Sequence, residues 1–69
     1  MYFWSMEAMA ADAKLRIAKG TGTPKPEVQA AVNILVRIGT GRTEMKNKLL
    51  LYKFTPPEVE NYIDTAYPA

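Results

Sequence analysis

The sequence predicts an all-α fold: an N-terminal helix joined to a compact three-helix unit, a small helical bundle of helix-turn-helix-like character. Three observations predict it. Apolar residues recur at helical spacing in each segment between the Gly and Pro clusters. Helix-start and helix-stop residues bracket those segments. No alternation of apolar and polar residues is long enough for a strand.

The first helix is expected from Ser5 to Lys19, a stretch free of Gly and Pro and rich in Ala, Met and Leu. Ser5 caps it, with Glu7 and Asp12 early and Lys14, Arg16 and Lys19 late, the order that complements the helix dipole. Steps of about 100° place Trp4, Ala8, Ala11, Leu15 and Ala18 on one stripe. Met6, Met9, Ala10, Ala13 and Ile17 fall on a second. Two apolar stripes call for two neighbours, the rest of the chain and a further subunit or partner.

Gly20 is expected to close this helix, and residues 21–26, Thr-Gly-Thr-Pro-Lys-Pro, read as a linker. The chain thus divides into an amphipathic helix (1–20), a linker (21–26) and a three-helix unit (27–69). The second helix, Glu27 to Ile38, repeats apolar residues at Val28, Ala31, Val32, Leu35 and Ile38, and Gly39 ends it. The third, Arg42 to Lys53, starts from Thr40 or Gly41 and turns Met45, Leu49 and Tyr52 to one face. In the fourth, Thr55 is the N-cap, Pro56 stands at the first helical position and Glu58 three residues on completes a capping box. Its buried face is Val59, Tyr62, Ile63 and Ala66, and Pro68 terminates it. Phe54, just before the cap, is expected in the core as a staple onto Val59.

Composition narrows the chemistry. At 69 residues the chain holds one small core, and it contains neither Cys nor His. Disulfides, thiolate catalysis, an imidazole base and the usual zinc ligands are therefore excluded, so the expectation is a non-enzymatic protein with no cofactor and no metal. No apolar run reaches the length of a membrane span, and a cytoplasmic setting is expected. The net charge is only +2. Its distribution is uneven: Arg37, Arg42, Lys46, Lys48 and Lys53 face Glu44 alone, and Glu58, Glu60 and Asp64 follow.

The pattern Ala31-x-x-x-Leu35-x-Arg37, then Glu44-Met45-x-x-Lys48-Leu49, Phe54, Val59 and Tyr62-Ile63 resembles a single three-helix repeat of the RecX regulatory family over residues 27–66. Such repeats line the groove of a RecA filament, so the resemblance implies a regulatory protein that binds a nucleoprotein filament. The chain departs from the pattern at Lys53, where the family carries Gly before the Phe, and at Gly41, where it carries a Ser cap.

Among the charged residues, Glu58 and Glu60 are two apart on a helix and point in different directions, so they cannot flank one bond. Glu44 and Lys48 have the spacing and order of an exposed helical ion pair. Gly39-Thr40-Gly41-Arg42-Thr43 lacks the Gly-Lys-Ser/Thr ending of a nucleotide-binding loop. The candidate surface for nucleic acid or an acidic partner is Arg37, Arg42, Lys46 and Lys53, the last three read as one track. The candidate protein interface is Phe3, Trp4, Met6, Met9, Ala13 and Ile17, which would serve self-association or a protein partner. The expected function is that of a small regulatory or accessory protein that binds a nucleoprotein complex or nucleic acid; the alternative is a structural or assembly subunit of a larger complex, its N-terminal helix buried between neighbours.

Overall fold

A computed structural model describes residues 5–68. Phe3 and Trp4, expected at the interface, lie outside the described residues. The described chain is all-helical: α1 (Met6–Thr21), α2 (Lys25–Arg37), α3 (Arg42–Leu51) and α4 (Pro56–Ala66). No strand occurs among the described residues. α1 lies along α2, α3 along α4, and α2 joins the two pairs by touching both α3 and α4.

Each helix starts and stops for a local reason. The Ser5 hydroxyl accepts from the Ala8 N–H at 3.2 Å and caps α1. α1 runs through Gly20, which therefore does not close it, and ends at Gly22 in the left-handed conformation. α2 begins two residues before its expected start, at Lys25 with Pro24 as N-cap. Pro26 is tolerated because first-turn N–H groups have no intrahelical partner to lose. The connection between α1 and α2 is thus residues 22–24 instead of 21–26.

α2 and α3 end in the same Schellman geometry. After α2, Thr40 N–H donates to Leu35 O and Gly39 N–H to Val36 O, with Gly39 at φ 112°. After α3, Phe54 N–H donates to Leu49 O and Lys53 N–H to Leu50 O. Here the left-handed position is held by Lys53 at φ 79°, the one non-glycine with positive φ among the described residues. α3 consequently stops at Leu51, short of the expected Lys53. The capping box of α4 forms as read, the Glu58 carboxylate accepting from the Thr55 N–H at 2.8 Å and from its hydroxyl at 3.0 Å.

One core runs through all four helices. α1 contributes Ala8, Ala11, Leu15 and Ala18, and α2 contributes Val28, Ala31, Val32 and Leu35. Met45 and Leu49 of α3 meet Val59, Tyr62 and Ile63 of α4 around Phe54. Phe54 is buried as expected, its ring edge-on to Tyr62 at 5.7 Å between centroids. Ile38, read as core, is instead 46% exposed, because it caps α2 where the chain turns away from the bundle. Tyr52 is half-buried instead of a full core member.

Candidate functional site

Within the described residues the first stripe of α1, Ala8, Ala11, Leu15 and Ala18, is buried, and the second faces outward. Met6, Met9 and Ile17 are 86%, 58% and 57% exposed, and Ala10, Ala13 and Gly20 between them are exposed as well. These six positions lie on one side of the helix and carry no charge. The strip extends over about 21 Å at 1.5 Å per residue. Charged residues border it on both flanks and are tied into the fold. Lys14 pairs with Glu27 at 3.5 Å, Glu7 with Arg37 at 3.7 Å, and Arg16 with Asp12 at 3.7 Å.

Two polar clusters hold α1 against the other helices. Asp12, largely buried, accepts from Lys48 Nζ at 2.8 Å and from the Tyr52 hydroxyl at 2.9 Å. Burial by itself pulls the Lys48 ammonium down, but the hydrogen bond and charge of Asp12 outweigh it, and Lys48 titrates above its ordinary value. Burial first, then the hydrogen bond to Asp12, pushes the Tyr52 phenol up. At the other end of α1, Lys19 Nζ spans both Glu58 carboxylate oxygens at 2.9 and 3.0 Å and lies 5.6 Å from the centre of the Phe54 ring. Lys19, followed by the Thr55 N–H, holds the Glu58 carboxyl down at about 2.

The predicted basic residues are distributed differently from a single track. Arg37 reaches Glu7 of α1. Arg42 pairs with Asp64 at 3.1 Å, donates to the Tyr67 carbonyl at 3.3 Å and stacks on the Tyr67 ring at 5.9 Å. The Tyr67 hydroxyl in turn donates to the Thr40 carbonyl, which closes the end of α4 onto the α2–α3 turn. Lys46 stands one turn after Arg42 on the rim of a shallow α3–α4 groove, opposite Glu60 and Asp64. Lys53 stands beyond α3 on the left-handed turn, off the helical face of Arg42 and Lys46.

The sequence reading missed the Asp12, Lys48 and Tyr52 cluster and the Lys19–Glu58 clamp, because the partners come from opposite ends of the chain. One signal was available: Asp12 interrupts the polar-to-apolar boundary of α1 next to Leu15. No cluster of three or more His, Cys, Asp or Glu able to hold a metal ion occurs among the described residues. No helix among them is long and apolar enough to cross a membrane. No protein-family model, curated protein or solved structure matches the chain.

Proposed function

We propose that this chain is a non-enzymatic binding protein, an assembly or accessory subunit that docks another protein on the outer face of α1. One observation carries the reading. Met6, Met9 and Ile17 are exposed on an uncharged strip, whereas a helix that packs once ordinarily turns a polar face to water. α2, α3 and α4 serve as the scaffold that presents the strip, and the Asp12–Lys48 and Lys19–Glu58 bonds fix its orientation. The absence of Cys and His from the sequence supports binding over covalent or metal-assisted chemistry.

A photo-crosslinking side chain placed at Met9 or Ile17, in the cells that make the protein, tests this reading. The expected result is a protein adduct from both positions and none from Thr65 on α4. Adducts from Lys46 but not from Met9 would overturn it.

A second reading is contact with a nucleic acid or nucleoprotein through α3, as the RecX-like pattern implies. It is favoured by Arg42 and Lys46, one turn apart at the rim of the same groove. Against it, Arg37 and Arg42 already have carboxylate partners, which lowers the charge available to phosphates. The separating measurement is a DNA titration at low salt, where this reading requires binding that Lys46→Glu weakens.

A further inference from the structure

Five of the six positions of the uncharged strip on α1 have a symmetric layout, Ala10 alone having a charged counterpart, Arg16. Ala13 is its midpoint; Met9 and Ile17 stand four residues to either side, and Met6 and Gly20 seven. Bulk at one end therefore corresponds to a gap at the other. Met6 is 86% exposed, and Gly20 has no side chain.

Gly20 is not used as a glycine by its own fold. It lies within α1 without a positive φ, and a Cβ built there would meet nothing within 4 Å. Glycine at a helical position costs roughly 1 kcal/mol relative to alanine. A bare helix surface facing solvent allows a second chain to approach closely there.

We propose that the outer face of α1 is covered by α1 of a second copy of this chain, running antiparallel about a twofold axis at Ala13. This deepens the docking role proposed for α1 and rests on it. In this register Met6 fills the space over the partner's Gly20, Met9 packs beside the partner's Ile17, and the two Ala13 residues meet at the axis. A parallel pair would set Met6 on Met6 and Gly20 on Gly20, crowding one end and leaving a void at the other.

The charges on the flanks select the same orientation. The antiparallel register brings Arg16 within one turn of the partner's Asp12, twice by symmetry, on the side of Oδ2, which lies 3.7 Å from the Arg16 of its own chain while Oδ1 serves Lys48 and Tyr52. The parallel one sets Arg16 beside the partner's Lys14 instead. A strip about 21 Å long and one helix wide falls short of the roughly 800 Å² per partner of a standard interface, so the dimer is a weak one that dissociates on dilution.

The chain has no cysteine, so a single introduced thiol reports the geometry. A disulfide requires Cα atoms within about 7 Å, which only the axis position supplies to its own copy. Under mild oxidation, Ala13→Cys is expected to cross-link roughly tenfold faster than Glu60→Cys, through the raised effective concentration of the paired thiols. Met6→Cys mixed with Gly20→Cys gives the mixed dimer, and Met6→Cys alone stays uncross-linked. In sedimentation, the unmodified chain dimerises with rising concentration. Ile17→Glu abolishes this while its circular dichroism stays helical.

A monomer at every concentration, or self-cross-linking of Met6→Cys in place of Ala13→Cys, overturns the antiparallel dimer. If the chain is monomeric yet a crosslinker at Met9 captures a different protein, the dimer falls and the docking role of α1 stands. If neither occurs, both fall.

Discussion

Asp12 and Lys48, 36 residues apart, meet at 2.8 Å with only 15% and 18% of their side chains exposed, and this contact fastens the middle of α1 to α3. Asp12 also accepts from Tyr52, so one carboxylate serves two donors on α3 and its terminal turn. Asp12→Ala removes both bonds and leaves the Lys48 ammonium in a poorly hydrated position without that carboxylate. The expected loss is about 2 kcal/mol by urea denaturation. The double change Asp12→Leu with Lys48→Met should lose less than Asp12→Ala alone, because no half-buried charge remains.

The Lys19–Glu58 clamp predicts the acid limb of the stability curve. Glu58 is held at about 2 against an ordinary 4.5, chiefly by the Lys19 hydrogen bond. Its folded value is the lower one, so its contribution is complete above pH 4.5 and disappears as the pH falls toward 2. Glu58→Gln should therefore destabilise the protein at neutral pH and flatten the decline across that window, as read by thermal melts over an acid pH series.

The alkaline limb has the opposite sign. Tyr52 titrates above its ordinary 10.0 through burial and its bond to Asp12, so the stability it supplies is complete below pH 10.0 and is lost as the pH rises through the raised folded value. Tyr52→Phe should shrink the fall in melting temperature above pH 10.0. The phenolate absorbance difference between the wild type and this variant locates the transition.

Lys53 holds a left-handed backbone position that glycine occupies without steric cost, and the Schellman hydrogen bonds around it do not involve its side chain. Lys53→Gly should raise the unfolding free energy by roughly 1 kcal/mol. A urea titration with an unchanged slope would show that the gain is in stability alone.

The two stripes of α1 should respond differently to truncation. Leu15 is fully buried, and Leu15→Ala should cost about 3 kcal/mol, a large part of the stability of so small a domain. Met9→Ala and Ile17→Ala should change the monomer by no more than about 0.5 kcal/mol, since both side chains are mostly in solvent.

Much of the fold was legible because its signals are local. The Thr55-Pro56-Pro57-Glu58 cap, Gly39 as a stop, the buried Phe54 and the 3.6-residue spacing of Val28, Ala31, Val32 and Leu35 each depend on residues within one or two turns. Helix ends were less legible. Gly20 and Gly22 compete to end α1, and the winner is decided by whether the last turn can still bond: the Thr21 hydroxyl donates to the Ile17 carbonyl, and the Gly22 and Thr23 N–H groups both reach Ala18. Pro24 and Pro26 looked like a linker, yet the first turn of a helix loses nothing to them.

The basic residues show the limit of reading charge along a sequence. Arg37, Arg42 and Lys48 form a run against Glu44, but their carboxylate partners are Glu7, Asp64 and Asp12, brought from α1 and α4 by packing. Among these pairs only Arg42 with Asp64 joins the basic middle to the acidic tail, and Glu58 of that tail is held by Lys19 of α1. Lys46 keeps its helical spacing from Arg42 at the groove rim, whereas Lys53 is carried off that face because α3 ends at Leu51.

By itself the sequence determined four helices, the Ser5 and Thr55 caps, the Gly39 stop, the two apolar stripes of α1 and the lack of thiol and imidazole chemistry, since these follow from backbone propensity, periodicity and composition. Only the tertiary structure decided which stripe of α1 is core. Both are apolar, so the periodicity of α1 gives no preference between them. The choice rests on Ala8, Ala11 and Ala18 letting α1 come close enough to α2 to bury Leu15, while the bulkier Met6, Met9 and Ile17 are left at the surface.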